Sequence, residues 1–191
     1  GRIDLGLGRA PGGDQRTARA VAGGQLASDQ FPEQVALLAA LLNGELPENH
    51  PYRELVMQPR TGGKPEIWML GSSDFGGHLA AQLGIRFCFA HFINARDGEQ
   101  VARFYREHFQ PAYEQKPYSA VALFVICADT EQEAQDLSAA VDLRRLYQAY
   151  GHNVPIPGIA SARAMQYSAR DLDIIASEQA RSRSGTYERA S

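Results

Sequence analysis

Arg9, Ser72, Ser73 and His91 are the side chains whose types and positions could do chemistry. The two serines stand in Gly71-Ser-Ser-Asp74, between an apolar run and a helical one. A glycine there permits a tight turn, and two hydroxyls followed by an acid suit a helix start, whose unpaired N–H groups can hold a phosphate. The same residues serve as an ordinary helix cap, which is the commoner use of the pattern. Arg9 follows Gly6-Leu-Gly8, so it projects a fixed cation from a strand tip that the glycines leave bare. Its target is a phosphate, or it is a surface arginine in a glycine-rich turn. His91 ends the run Ile85 to Ala90, where an imidazole could meet an aromatic ligand or pass a proton. A hydrogen-bonded core histidine is the commoner reading from spacing alone.

The elements that must position these residues follow from periodicity. Strand candidates lie near residues 2–8, 66–70, 85–90 and 118–128, with a further short strand at Leu55 to Gln58. Asp29-Gln-Phe-Pro32 marks a helix start, Phe31, Val35, Leu38 and Leu42 share a face, and Asn43-Gly44 ends the helix. Leu79, Ala80 and Leu83 recur at helical spacing after the serines. Asp97 is expected to cap a helix striped by Val101, Phe104, Tyr105 and Phe109, and Pro111 to stop it. Thr130-x-x-Glu133 has capping-box spacing and opens a helix to about Tyr150. From 151 the chain is expected to be an irregular tail, helical from Ala169 to Arg181, with Ser182 to Ser191 polar and unpartnered. Strands alternating with helices predict parallel β/α units in a single domain spanning 1–191, and ligands gather at the carboxyl ends of such strands. Arg9, Ser72, Ser73 and His91 all fall at those ends, which favours one anionic-ligand pocket.

Bulk properties narrow the classes. Net charge is −3, with 19 basic and 22 acidic residues spread along the chain, so no footprint for nucleic acid appears. No apolar run approaches the roughly 20 residues of a membrane span. A cytoplasmic location is expected. Cys88 and Cys127 each lie in an apolar run and read as small buried hydrophobes, and the scattered histidines predict no metal site. The glycines after the first strand lack the dinucleotide-binding spacing. The chain starts in what reads as mid-strand, with no initiator methionine, and stops in a polar run; a fragment is expected.

Several phrases in order carry a resemblance: Gly1-Arg-Ile-Asp-Leu-Gly-Leu-Gly-Arg-Ala-Pro-Gly12, Asp29-Gln-Phe-Pro-Glu-Gln34, Ile67-Trp-Met-Leu-Gly-Ser-Ser73, Leu79-Ala-Ala-Gln-Leu-Gly84, Phe87-Cys-Phe-Ala-His-Phe92, Tyr105-Arg106 and Ala128-Asp-Thr-Glu-Gln-Glu-Ala134. Over residues 1 to about 135 the chain resembles the luciferase-like flavin monooxygenases, in the single-chain branch similar to the luciferase alpha subunit. That resemblance implies a (β/α)₈ TIM barrel of which about strands four to seven are present. It implies FMN as cofactor, reduced by a separate NAD(P)H flavin reductase, with O₂ and a small organic substrate, and a homodimer if full length. It assigns the FMN phosphate to Arg9, Ser72 and Ser73, and a position facing the flavin to His91. The chemistry is then the cofactor's, while the protein excludes water and positions the substrate. A full barrel takes typically about 250 residues, so weak or no turnover is expected of this chain alone. The alternatives are a deazaflavin-dependent oxidoreductase on the same barrel and a non-catalytic flavin-binding protein.

Overall fold

A computed structural model describes residues 3–9, 19–20, 30–58 and 62–186. Gly12 and Asp29 lie outside the described residues. The chain divides into two compact units, Gly1–Ala90 with Asp97–Val121, and His91–Arg96 with Ala122–Ser191.

In the first unit, β1 (Asp4–Leu7), β2 (Glu66–Gly71), β3 (Arg86–Ala90) and β4 (Ser119–Ala122) form one sheet in that order. β1 runs parallel to β2, with Leu7 opposite Met69, and β2 parallel to β3, with Gly71 opposite Phe89. The carboxyl ends of these three strands therefore share one edge. Helices α1 (Phe31–Asn43), α2 (Asp74–Leu83) and α3 (Gly98–Glu107) complete an α/β arrangement. Pro32 in the first turn and Gly44 at φ 70° after the last bound α1. The core joins Val35 and Ala39 of α1 to Ile67, Met69, Phe87 and Phe89 of the sheet and to Val101 and Tyr105 of α3. These are the apolar stripes of the sequence, turned toward one another.

Tyr105 shows how this core is locked. Its buried hydroxyl donates to the Ile85 carbonyl at 2.9 Å and accepts from the Tyr118 N–H at 3.1 Å, tying α3 to the residues that lead into β3 and β4. Burial pushes its phenol from about 10 up to about 12. The folded state therefore favours the neutral ring. That preference contributes fully below about pH 10 and is lost as pH rises through about 12. Tyr105→Phe is expected to cost about 1–3 kcal/mol by stranding both partners. It should also flatten the fall in stability across that alkaline window, as read by urea midpoints at pH 8 and at successive higher values. An unchanged alkaline profile would show that another group governs it.

At the amino-terminal end of the sheet, Arg86 bridges Glu66 and Glu114 and lies 4.7 Å from the Tyr118 ring centroid. It helps line a cavity of about 310 Å³ with Asn43, Lys64 and Tyr113, at the end opposite Arg9 and the serines. The charge pairing there reads as structural: the guanidinium is already committed to two carboxylates.

In the second unit, α4 (Glu131–Ala149), α5 (Ile159–Ala164) and α6 (Ala169–Gln179) pack through Ala140, Leu143, Leu146, Ala162 and Ile175. Beside them β5 (Phe124–Cys127) pairs in parallel with β6 (Ser182–Gly185). Thr130 caps α4 by accepting from the Glu133 N–H at 3.2 Å, as its spacing predicts.

Several expectations are corrected. The run 118–128 is broken at Leu123, and its halves enter different sheets. No strand forms at 55–58. Asp97 precedes α3 at φ 64° without a side-chain cap bond. The segment read as irregular carries α5 and a strand besides α6, which lies where a helix from Ala169 to Arg181 is expected, and residues 182–185, read as unpartnered, are the partner of β5. Cys127 is exposed and Cys88 half-buried, neither in a disulfide, because β5 does not turn the Cys127 side chain into the core. The structure shows an α/β fold with parallel sheets; among the described residues the strands do not form one closed sheet.

Candidate functional site

The parallel register places the segment after β1 beside the segment after β2, and the site is built there. Glycines make the approach possible. A Cβ on Gly6 would lie 2.8 Å from Leu70 Cδ1, and one on Gly76, in the first turn of α2, would meet the Cα of Gly71 at 3.4 Å. The start of α2 therefore sits directly against the end of β2.

Ser73 occupies the cap position of α2 in extended conformation (φ −137°, ψ 174°), but its side chain makes no capping hydrogen bond. The expected capping by serine is thus replaced by the neighbouring acid, Asp74, whose Oδ1 accepts from the Phe75 N–H at 2.8 Å. Ser72 stands in the turn between Gly71 and Ser73.

Arg9 is brought to the same place. Its guanidinium carbon lies 3.8 Å from the centroid of Phe75, in the first turn of α2. Among the described residues no carboxylate forms an ion pair with Arg9. A cation, a serine hydroxyl not spent on capping and a helix start with its positive dipole end thus face the same edge, a combination that attracts a phosphate. Asp74 opposes it, since its carboxylate repels an anion and already occupies one N–H.

His91 follows β3 and belongs to the second unit. Its Nε2–H donates to the Ala180 carbonyl, just past α6, at 3.1 Å. That bond sets the tautomer, leaving Nδ1 as acceptor. Phe75 is a residue sequence reasoning passed over. An aromatic one turn into a serine-led helix was the available signal, but nothing local shows that an arginine 66 positions earlier would stack on it.

Comparison with known proteins decides the family. The family model described as luciferase-like monooxygenase matches residues 1–190. The chain belongs to the luciferase-like monooxygenases. Within them it is 39% identical over 176 residues to YceB of Bacillus subtilis (strain 168), covering 91% of this chain and 53% of that protein. It is 40% identical over 154 residues to a luciferase-like monooxygenase of Escherichia coli (strain K12), covering 76% and 44%. The crystal structure of apo-MsnO8 superposes with a TM-score of 0.83 at 28% identity, over 99% of this chain and 57% of that one. The chain thus spans about half the length of the relatives it matches. The resemblance drawn from short phrases up to about residue 135 extends, by the family match, to residue 190.

Proposed function

We propose that this chain carries the FMN phosphate site of a monooxygenase that uses reduced FMN and O₂ to oxidise a small organic substrate. A separate NAD(P)H-dependent flavin reductase supplies the reduced cofactor. The observation that carries the reading is Arg9 stacked over the first turn of α2, beside the uncapped Ser73 hydroxyl. The family match supports the oxidoreductase class.

The residues fit an anionic cofactor. Arg9 has no carboxylate partner among the described residues, and its planar fork can donate two parallel bonds to phosphate oxygens. The Ser73 and Ser72 hydroxyls and the N–H groups opening α2 supply further donors, and Gly76 adds no side chain of its own to the first turn. The close seating of Gly71 against Gly76 fixes the start of α2 against the end of β2. His91, in the second unit, has its Nε2 committed to the Ala180 carbonyl. When bound, reduced FMN supplies the two electrons that let one oxygen atom enter the substrate while the other leaves as water. The protein's part is to hold the phosphate, orient the ring and keep water out.

The test is a fluorescence titration of the chain with FMN, riboflavin and a deazaflavin, followed by NADH consumption with a reductase and O₂. FMN is expected to bind more tightly than riboflavin, with weak or no turnover by this length of chain. Equal affinity for FMN and riboflavin removes the phosphate site; preference for the deazaflavin moves the chain to the alternative oxidoreductase.

A further inference from the structure

We infer that Phe75 is a positioning residue for the cofactor phosphate, acting through Arg9; the inference rests on the FMN reading above. Arginine is long and rotamer-rich, so an untethered one loses much freedom on gripping a ligand. Here the guanidinium lies 3.8 Å over the Phe75 ring centroid. Stacking uses the face of the planar cation and leaves its edge N–H donors pointing outward. The negative face of the ring attracts the cation, and the attraction persists when the donors turn to an anion.

The ring itself is held. Phe75 packs against the core cluster containing Val35 and Phe87, with the Phe31 ring 6.4 Å away at 42°, while Asp74 fixes its backbone N–H. A tethered ring under a long cation makes a mobile donor into an oriented one. Phe75 also places that donor at the turn Ser73 opens, so the serine and the arginine address the same anion. The aromatic character, beyond mere bulk, is what this role requires.

The experiment compares FMN and riboflavin affinities of the whole chain and its variants, since their ratio isolates the phosphate. Phe75→Leu keeps packing against Phe31 and removes the ring face; it is expected to weaken FMN binding about three- to tenfold and leave riboflavin unchanged. Phe75→Tyr and Phe75→Trp should retain the FMN preference within about twofold, because their rings present the same face. In an Arg9→Ala background, Phe75→Leu should add no further loss, as expected of two residues acting as one unit. If Phe75→Leu does not fold by circular dichroism, Phe75→Met is read in its place. An unchanged FMN-to-riboflavin ratio in Phe75→Leu, or an equal loss for both flavins, overturns the inference while the phosphate site stands. A parent chain that does not distinguish FMN from riboflavin overturns both.

Discussion

Arg9→Ala is expected to weaken FMN binding by about 10- to 100-fold while leaving riboflavin binding unchanged, because a charge-assisted hydrogen bond is worth about 1.5–3 kcal/mol. The size follows from the charges involved. A phosphate accepts from a guanidinium through two parallel bonds, and no described carboxylate competes for Arg9. Asp74 makes the arginine more necessary, since its carboxylate at the start of α2 partly cancels the attraction of the helix end. Arg9→Lys keeps the charge and loses the fork, so an intermediate loss is expected. Titration at low and high salt separates the contributions further: the FMN preference of the parent should shrink with salt, and that of Arg9→Ala should not. Equal affinities for FMN in parent and Arg9→Ala would remove Arg9 from the site.

Gly84→Ala carries the largest expected loss of stability, about 3–5 kcal/mol, near the upper end of single-substitution effects. Gly84 closes α2 at φ 60°, a left-handed conformation that side chains disfavour. A Cβ there would also stand 2.4 Å from the Gln110 carbonyl oxygen and 2.7 Å from the Ala112 nitrogen. Both are backbone atoms, so no rotamer change relieves the clash. The same crossing is stitched by Gln110 N–H to Ala81 O and Glu114 N–H to Gly84 O, each 2.9 Å. Moving the strap away would break those bonds and release Glu114 from Arg86. Gly44 supplies the control: it has φ 70° but nothing within 4 Å of its would-be Cβ, so Gly44→Ala should cost only about 1 kcal/mol. Urea midpoints of the two variants measure the difference. Equal losses would mean that left-handed strain, and not the backbone clash, governs Gly84.

Much of the scaffold was legible because it is encoded locally. Ile67 to Leu70 and Ile85 to Ala90 are apolar runs of strand length, and both core residues and strand bounds follow from them. Gly44 and Gly84 end their helices in the left-handed conformation that their residue type favours. Thr130 caps as its spacing requires. The capping box of Ser168 and Asp171, complete in both its bonds, has Asp in place of the usual Glu or Gln at the third position and so lacks the sequence signature.

What stayed hidden depends on partners far along the chain. β6 is Ser-Arg-Ser-Gly, with no apolar rhythm; its strand state comes from backbone bonds to β5, which hydropathy does not record. The unbroken apolar character of 118–128 conceals the switch of sheets at Leu123, since Val121, Leu123 and Val125 are exposed while Ile126 is buried, and hydropathy does not distinguish them. The sequence by itself determined the α/β class and the placing of Arg9 and the serines after strands, because period and caps are short-range properties of the chain, and its ordered phrases carried the resemblance to the family. Only the tertiary structure decided that Phe75 lies beneath Arg9, that Ser73 is uncapped and that His91 bonds Ala180, because each depends on which distant group the folded backbone brings within a few ångströms.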